Sequence, residues 1–172
     1  FNLCIKALEY KLKNAERTPD VVTVVHMAGT SVDMVSINRL AQTYKFKVIE
    51  DASHAVGGEY LNQKIGSCQF SDLAVFSFHP VKIITSGEGG MLLGRDERLI
   101  DKARALASHG VIRNEEITSQ KGPWAYEMQD LGWNFRMTDF QAALGLSQLT
   151  RLDSFIEKRR ILAENYRKEL ID

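Results

Sequence analysis

Short β-branched runs flanked by helical patterns constrain this chain more than any other feature. Val21-Val22-Thr23-Val24-Val25 is too short for a typical helix and is rich in residues that favour a buried strand. Further strands are predicted at 46–49, 73–76 and 91–93. Apolar residues at helical spacing flank these runs, within 3–12, 32–41 and 99–107. Strands separated by single helices indicate an α/β fold with a mostly parallel, covered sheet.

The last third of the chain carries a different pattern. Gly110 is predicted as the C′ residue that ends the helix at 99–107. Thr138-Asp139-Phe140-Gln141 predicts a capping box that opens another helix. An apolar stripe then predicts one long helix with a packing surface, formed by Leu149, Leu152, Phe155, Ile156, Leu162 and Tyr166. A boundary is therefore expected between residues 1–137 and 138–172.

Composition excludes several classes of protein. The chain has 22 basic and 22 acidic residues, which gives no electrostatic attraction to nucleic acid or to an anionic membrane. No apolar run approaches the roughly 18 residues of a membrane span, and no secretory signal pattern is visible. Cys4, Cys68 and four scattered histidines lack metal or redox spacing, so no metal site is expected. A cytoplasmic protein with reduced thiols is predicted.

Polar residues follow two of the predicted strands. Asp51 follows the run at 46–49, while Ser77 and Lys82 follow the run at 73–76. Ligands of open α/β sheets bind beyond the carboxyl ends of strands, although an aspartate there is more often only a turn or helix cap. Pro80 turns the segment between Ser77 and Lys82 out of helix. A lysine for a Schiff base and an aspartate for a pyridinium nitrogen suit a pyridoxal phosphate (PLP) site.

The glycines of the chain do not form a nucleotide fingerprint. Gly87-Glu88-Gly89-Gly90 lacks the spacing of a phosphate loop and precedes an apolar run, so we predict a turn into a strand. A nicotinamide dinucleotide-binding domain would need several glycines after the first strand, where Met27-Ala28-Gly29-Thr30 supplies only one.

The segments 49–57, 74–90 and 130–153 resemble the DegT/DnrJ/StrS family of PLP-dependent nucleotide-sugar aminotransferases, in particular its pseudaminic acid branch. The resemblance implies site roles. Lys82 would form the Schiff base, Asp51 would face the pyridine nitrogen and Ser77 would bind the cofactor phosphate. His54 would lie near the phenolic oxygen of the cofactor, and Asn134 would reach across the dimer to the cofactor phosphate in the partner's site. Without the resemblance, a lone histidine such as His54 is more often structural, and the bare sequence favours a capping or turn role for Asn134.

The resemblance also implies an architecture and a reaction. Residues 1–137 would form part of a fold-type-I large domain, without its N-terminal portion, and 138–172 a helix toward a small C-terminal domain. The chain begins at Phe1 and is expected to be a fragment that is inactive alone. The intact homodimer, with shared sites, would transfer an amino group from L-glutamate to the C4 keto group of a nucleotide-linked 6-deoxy sugar. The alternatives are another keto sugar, such as a dTDP-linked one, or a non-catalytic α/β module.

Overall fold

The computed structural model describes residues 1–170, which divide into two compact units. The first unit comprises residues 1–94 and the C-terminal helices from residue 139 onward, and the second comprises residues 95–138. The sheet predicted from the sequence lies in the first unit.

A four-stranded sheet organises the first unit. The elements, in chain order, are α1 (Ile5–Lys13), β1 (Val21–Val25), α2 (Met34–Tyr44), β2 (Lys47–Asp51), β3 (Glu59–Tyr60), β4 (Gln63–Lys64), β5 (Leu73–Ser77) and β6 (Gly90–Gly94). The strand order is β1-β2-β5-β6; β1, β2 and β5 run parallel, and β6 runs antiparallel to β5. β3 and β4 form a separate small hairpin. The mostly parallel α/β sheet is thus confirmed, with its last strand reversed.

Helix α2 begins later than its apolar pattern suggests. The Asp33 carboxylate accepts a hydrogen bond from the Ser36 N–H at 3.2 Å, and this N-cap starts the helix at Met34. Val32 was predicted on the helix face, and this is wrong because it precedes the cap, although it is buried at 2% exposure. Lys45, at φ 61°, ends the helix in a left-handed conformation.

The two faces of the sheet differ in burial. Val24 and Val48 pack with Met34, Ile37 and Leu40 in one continuous core. Successive side chains of a strand point to opposite faces, so the alternate positions lie on the other side. There the exposed valines are Val21, Val25 and Val75. Asp51 pairs in register with Val25 and Val75 and therefore shares this open face.

The second unit contains α3 (Glu97–Ala107), β7 (Val111–Ile112), α4 (Glu115–Lys121) and β8 (Glu127–Met128), with β7 and β8 antiparallel. Gly110 is not the C′ residue of α3. Ser108 is the C-cap, His109 takes the left-handed position at φ 62°, and the Gly110 N–H donates to the Ala105 oxygen at 2.7 Å. Glycine is still required at position 110, because a Cβ atom would lie 1.8 Å from the Asp130 oxygen.

The C-terminal segment forms two helices instead of the predicted one. α5 (Asp139–Leu149) begins directly after Thr138, and α6 (Leu152–Glu169) follows a break at which Arg151 has φ −105° and ψ 4°. Leu152 and Phe155 pack against the buried cluster of Ala52, Val56 and Phe76, whereas the later stripe residues Leu162 and Tyr166 are exposed. Of the predicted range 138–172, residues 171 and 172 lie outside the described residues.

The core beneath α2 supplies a test of the fold. Ile37 is 0% exposed, so Ile37→Ala should lower the free energy of unfolding by about 2–5 kcal/mol through lost burial and a cavity. Val35→Ala, at a 44% exposed position of the same helix, should change it by less than about 0.5 kcal/mol. Urea unfolding of the two variants measures the difference, and equal losses would contradict this packing.

Candidate active site

Neighbouring parallel strands bring two of the predicted site residues to one edge of the sheet. Asp51 is the last residue of β2, and Ser77 is the last residue of β5. Asp51 pairs with Val75, so Ser77 lies two residues further along β5 on the same face. Side chains at the carboxyl ends of adjacent parallel strands are well placed to contact one ligand.

Asp51 is held as a carboxylate. The Ser53 hydroxyl donates a hydrogen bond to it, and this bond is the main cause that lowers the pKa of Asp51 below its ordinary value. Partial burial opposes the shift, while the Ser53 N–H at 3.1 Å and the charges of His54 and Lys82 add to it. Asp51 therefore carries a negative charge at neutral pH, and His54 and Lys82 lie close enough for their charges to act on it.

His54 is exposed and is contacted by the turn that follows β1. The Ala28 N–H lies 3.4 Å from Nδ1 of His54 and donates to it. In the neutral ring Nε2 then carries the hydrogen and remains a donor. Gly29, at φ +84°, allows this turn to approach, since a Cβ atom there would lie 3.0 Å from the His54 carbonyl oxygen. The structure therefore places His54 beside a specific backbone turn.

The segment from Ser77 to Lys82 folds as a compact turn. The Lys82 N–H donates to the His79 carbonyl oxygen at 2.9 Å, and the His79 N–H donates to the Ser77 hydroxyl oxygen at 3.4 Å. Lys82 is half-buried, as is Ser77. The hydroxyl hydrogen of Ser77 is thus available to an acceptor such as a phosphate oxygen.

The glycine turn after Lys82 leads into β6, as its sequence predicts. The Phe78 N–H donates to the Gly89 oxygen at 2.8 Å, and the buried Ser86 hydroxyl donates to the Glu88 oxygen at 2.9 Å. A Cβ atom at Gly145 of α5 would lie 3.5 Å from Cβ of Ser86, so α5 passes beside this turn. The segment that carries Lys82 is thus held by hydrogen bonds at Phe78 and at Ser86, on either side of the lysine.

Asn134 belongs to the second unit. It is exposed and forms an isolated β-bridge with Ser108. Its neighbours Trp133 and Phe135 stack on one another with ring centroids 5.7 Å apart. The structure brings Asp51, His54 and Lys82 together, with Ser77 at the same sheet edge, and the role of Asn134 stays a prediction.

Two features of the site were not predicted from the sequence. Ser53 lowers the pKa of Asp51, although its position two residues after an aspartate is typical of a local hydrogen bond. His26 and Glu50 form a buried hydrogen bond with Nε2 and Oε2 2.8 Å apart. The alternation along β2 was the available signal, since it places Glu50 on the same buried face as Val48.

Residues 1–170 contain no helix with the length and apolar composition of a membrane span. Within the same range, histidine, cysteine, aspartate and glutamate side chains form no group of three or more that could hold a metal ion.

Comparison with known proteins identifies the family of the chain. The model of the DegT/DnrJ/EryC1/StrS aminotransferase family matches residues 1–172. The chain belongs to this family. It is 42% identical over 168 residues to the UDP-4-amino-4,6-dideoxy-N-acetyl-beta-L-altrosamine transaminase of Campylobacter jejuni, covering 98% of this chain and 42% of that protein.

Solved structures show the same relationship. The chain superimposes on Helicobacter pylori PseC, an aminotransferase involved in the biosynthesis of pseudoaminic acid, with a TM-score of 0.88 and 34% identity, covering 99% of this chain and 43% of that one. It also matches TlmJ, an aminotransferase of Streptoalloteichus hindustanus, with a TM-score of 0.84 and 31% identity, covering 98% of this chain and 42% of that one. The chain therefore spans less than half the length of these relatives.

The hydrogen bond from Ser53 generates a prediction for Asp51. Ser53→Ala should raise the pKa of the Asp51 carboxyl toward its ordinary value, because the main cause of the lowered pKa is removed. Ser53→Thr retains the hydroxyl and should leave the pKa low. The side-chain carboxyl carbon of Asp51, followed by NMR through an acid titration without added cofactor, reports both values.

The same bond affects stability. Because the pKa of Asp51 is lower in the folded chain, its contribution is present above the unfolded value of about 3.9 and is lost as pH falls through the folded value. Ser53→Ala should reduce this contribution at neutral pH. An alanine variant with an unchanged Asp51 titration would contradict the assignment to Ser53.

Proposed function

We propose that the intact protein is a PLP-dependent aminotransferase that moves an amino group from L-glutamate to the C4 keto group of a nucleotide-linked 6-deoxy sugar. The observation that carries the proposal is the ionised Asp51, with Lys82 near it and Ser77 at the same sheet edge. The names of the C. jejuni and H. pylori transaminases support an amino-sugar product and favour a UDP-linked substrate.

The side chains present fit pyridoxal phosphate. When bound, the cofactor supplies an electron sink for the carbon that gains or loses the amino group. Asp51 would hold the proton on the ring nitrogen, since its carboxylate stays charged at neutral pH. Ser77 would donate its hydroxyl hydrogen to a phosphate oxygen, and His54 would donate from Nε2 to the phenolic oxygen.

Lys82 would have two tasks. Its amine would bind the cofactor aldehyde carbon covalently, which requires the unprotonated form. After glutamate displaces it, the same Nζ atom would carry a proton between the substrate carbon and the cofactor. The half-buried position of Lys82, on a turn closed by its own N–H, suits a side chain that must remain near the reacting atoms.

Three further parts of the proposal concern assembly, cellular location and the C-terminal segment. A homodimer would complete each site with Asn134 from the partner subunit, and a cytoplasmic location would supply glutamate and nucleotide sugar. Residues 138–172 would lead from the large domain toward a small C-terminal domain. The exposed stripe residues Leu162 and Tyr166 on α6 support a packing partner for this helix beyond the described residues.

The substrate has one alternative. Relatives named GDP-perosamine synthase share 32% and 34% identity with the chain, so the nucleotide varies within this group of proteins. A keto sugar on another nucleotide, such as dTDP, is therefore the second candidate. Incubating the intact protein with glutamate and either a UDP-linked or a dTDP-linked 4-keto sugar, then identifying the amino sugar, distinguishes the two.

Lys82 provides the direct test of the reaction. In the intact protein, Lys82→Ala should abolish the adduct fixed by borohydride and lower turnover at least about 10³-fold, because the nucleophile and the proton carrier are both lost. Lys64→Ala is the matched control, since Lys64 is exposed and pairs with Glu59 at 2.7 Å. Mass spectrometry of the reduced protein locates the cofactor, and finding it on Lys64 would refute the assignment.

Asn134 provides the test of a shared site. Lys82→Ala and Asn134→Ala proteins should each be weak or inactive alone. If Asn134 acts in the partner's site, a heterodimer of the two variants has one site with both defects and one site with neither. Mixing after gentle dissociation should then restore activity to about half of the wild-type level in the heterodimers.

The cis arrangement gives the opposite result. Each heterodimer site would then carry one defect, and activity would stay near the mean of the two parent variants. Heterodimers are verified by two different affinity tags, so that failure to recover activity cannot come from failure to exchange subunits.

A further inference from the structure

A network of buried, hydrogen-bonded polar side chains lies at the end of β2, on the face of the sheet opposite to the Asp51 side chain. His26 is 0% exposed and Glu50 is 5% exposed. Nε2 of His26 lies 2.8 Å from Oε2 of Glu50, and the Ser71 hydroxyl donates to the other carboxylate oxygen of Glu50. The Val32 N–H donates to Nδ1 of His26 at 3.2 Å. Every polar atom of the two buried side chains therefore has a partner.

These bonds define one arrangement of hydrogens. Because Nδ1 of His26 accepts from a backbone N–H, the hydrogen of the neutral ring is on Nε2 and is donated to Glu50. Glu50 then accepts from His26 on one oxygen and from Ser71 on the other. The network leaves no freedom for the imidazole to turn over without losing a bond at each nitrogen.

The network connects three parts of the chain that surround the site. His26 directly follows β1, and its N–H donates to the Asp51 carbonyl oxygen at 3.0 Å. Glu50 directly precedes Asp51, with its side chain on the opposite face of the sheet. The turn 27–29, whose Ala28 N–H contacts His54, begins at the residue after His26. His26 is thus bonded through its ring to Glu50 and to the Val32 N–H beyond the turn, and through its backbone N–H to Asp51.

A purely structural role does not require charged or titratable groups here. Replacing both partners of a buried polar pair by apolar residues of similar shape can be nearly neutral or stabilising, because burying polar or charged groups costs desolvation energy. Hydrogen bonds, unlike apolar contacts, specify a direction, and the conformations of Asp51 and the turn 27–29 both depend on direction. The network therefore fits a role in orientation.

We propose that His26 and Glu50 are positioning residues that orient Asp51 and the His54-contacting turn toward the bound cofactor. This inference rests on the proposed function, since it concerns the same site. Because both side chains are buried, they would act on the cofactor through the backbone at residues 51 and 27–29.

The test compares three variants of the intact protein. Glu50→Leu removes both bonds to Glu50. Glu50→Gln is nearly isosteric and retains both, because its amide oxygen can accept from His26 while its amide N–H donates to the Ser71 oxygen. Val48→Ala is the matched control, since Val48 is 1% exposed on the same face of β2 and destabilises the core without altering the network.

Three measurements separate orientation from stability: the midpoint of urea unfolding, the dissociation constant for added PLP, and the visible circular dichroism of the bound cofactor. Glu50→Leu should weaken PLP binding by about tenfold or more and change the dichroism band, because a buried donor loses its partner and the strand end is released. Glu50→Gln should bind within about threefold of wild type, as all bonds are kept. Val48→Ala should unfold more easily and keep wild-type affinity and dichroism.

Each contrary outcome has a defined meaning. If Glu50→Leu matches Val48→Ala in PLP affinity and dichroism, the network is only structural and the inference is overturned. Loss of PLP binding by Glu50→Gln would also overturn it, because charge and not hydrogen-bond geometry would then be the requirement. A wild-type protein that takes up no PLP would overturn the proposed function and, with it, this inference.

A further variant and a further measurement test the inference if Glu50→Leu folds poorly. Ser71→Ala removes one bond to Glu50 at a partly buried position and should produce a smaller change in the same direction. If it leaves PLP affinity and dichroism at wild-type values, the inference fails. Independently of the cofactor, ¹⁵N NMR of His26 should show the hydrogen on Nε2, and a hydrogen on Nδ1 would contradict the proposed bonds.

Discussion

The parallel pairing of β1, β2 and β5 is the constraint on which the candidate site depends. Parallel strands end at the same edge, so residues far apart in sequence, such as His26, Asp51 and Ser77, arrive together there. The register carries Asp51 to the open face and Glu50 to the buried face. Two adjacent acidic residues at the end of β2 therefore have different surroundings. Asp51 faces the candidate site, and Glu50 faces the buried hydrogen-bond network on the other side of the sheet.

The electrostatics of the site follow from local bonds more than from burial. The pKa of Asp51 is lowered chiefly by the Ser53 hydroxyl, against the opposing effect of partial burial. This arrangement keeps an acceptor charged while it remains accessible to a ligand, which complete burial would oppose. The buried carboxylate of Glu50 instead depends on partners brought by other segments, from β1 and from the loop before β5.

Much of the fold was predictable because its signals are local. The β-branched run at 21–25 and the helical spacing at 99–107 each specify an element within a few residues. The errors occur where a single bond or torsion overrides periodicity. Asp33 caps α2 after Val32, and Arg151 interrupts an apolar stripe that otherwise continues through two helices. Gly110 lies one residue after the C′ position, which His109 occupies in the left-handed conformation.

The sequence by itself determined the class of fold, the family and the candidate residues Asp51, His54, Ser77 and Lys82, because these depend on residue type, spacing and resemblance. Asn134 was likewise identified by resemblance, and its structure within residues 95–138 leaves its role in the site a proposal. The tertiary structure alone decided which of two adjacent acids faces the open side and which histidine is buried. These outcomes depend on strand register and on contacts between segments distant in sequence, and no local pattern encodes such distances.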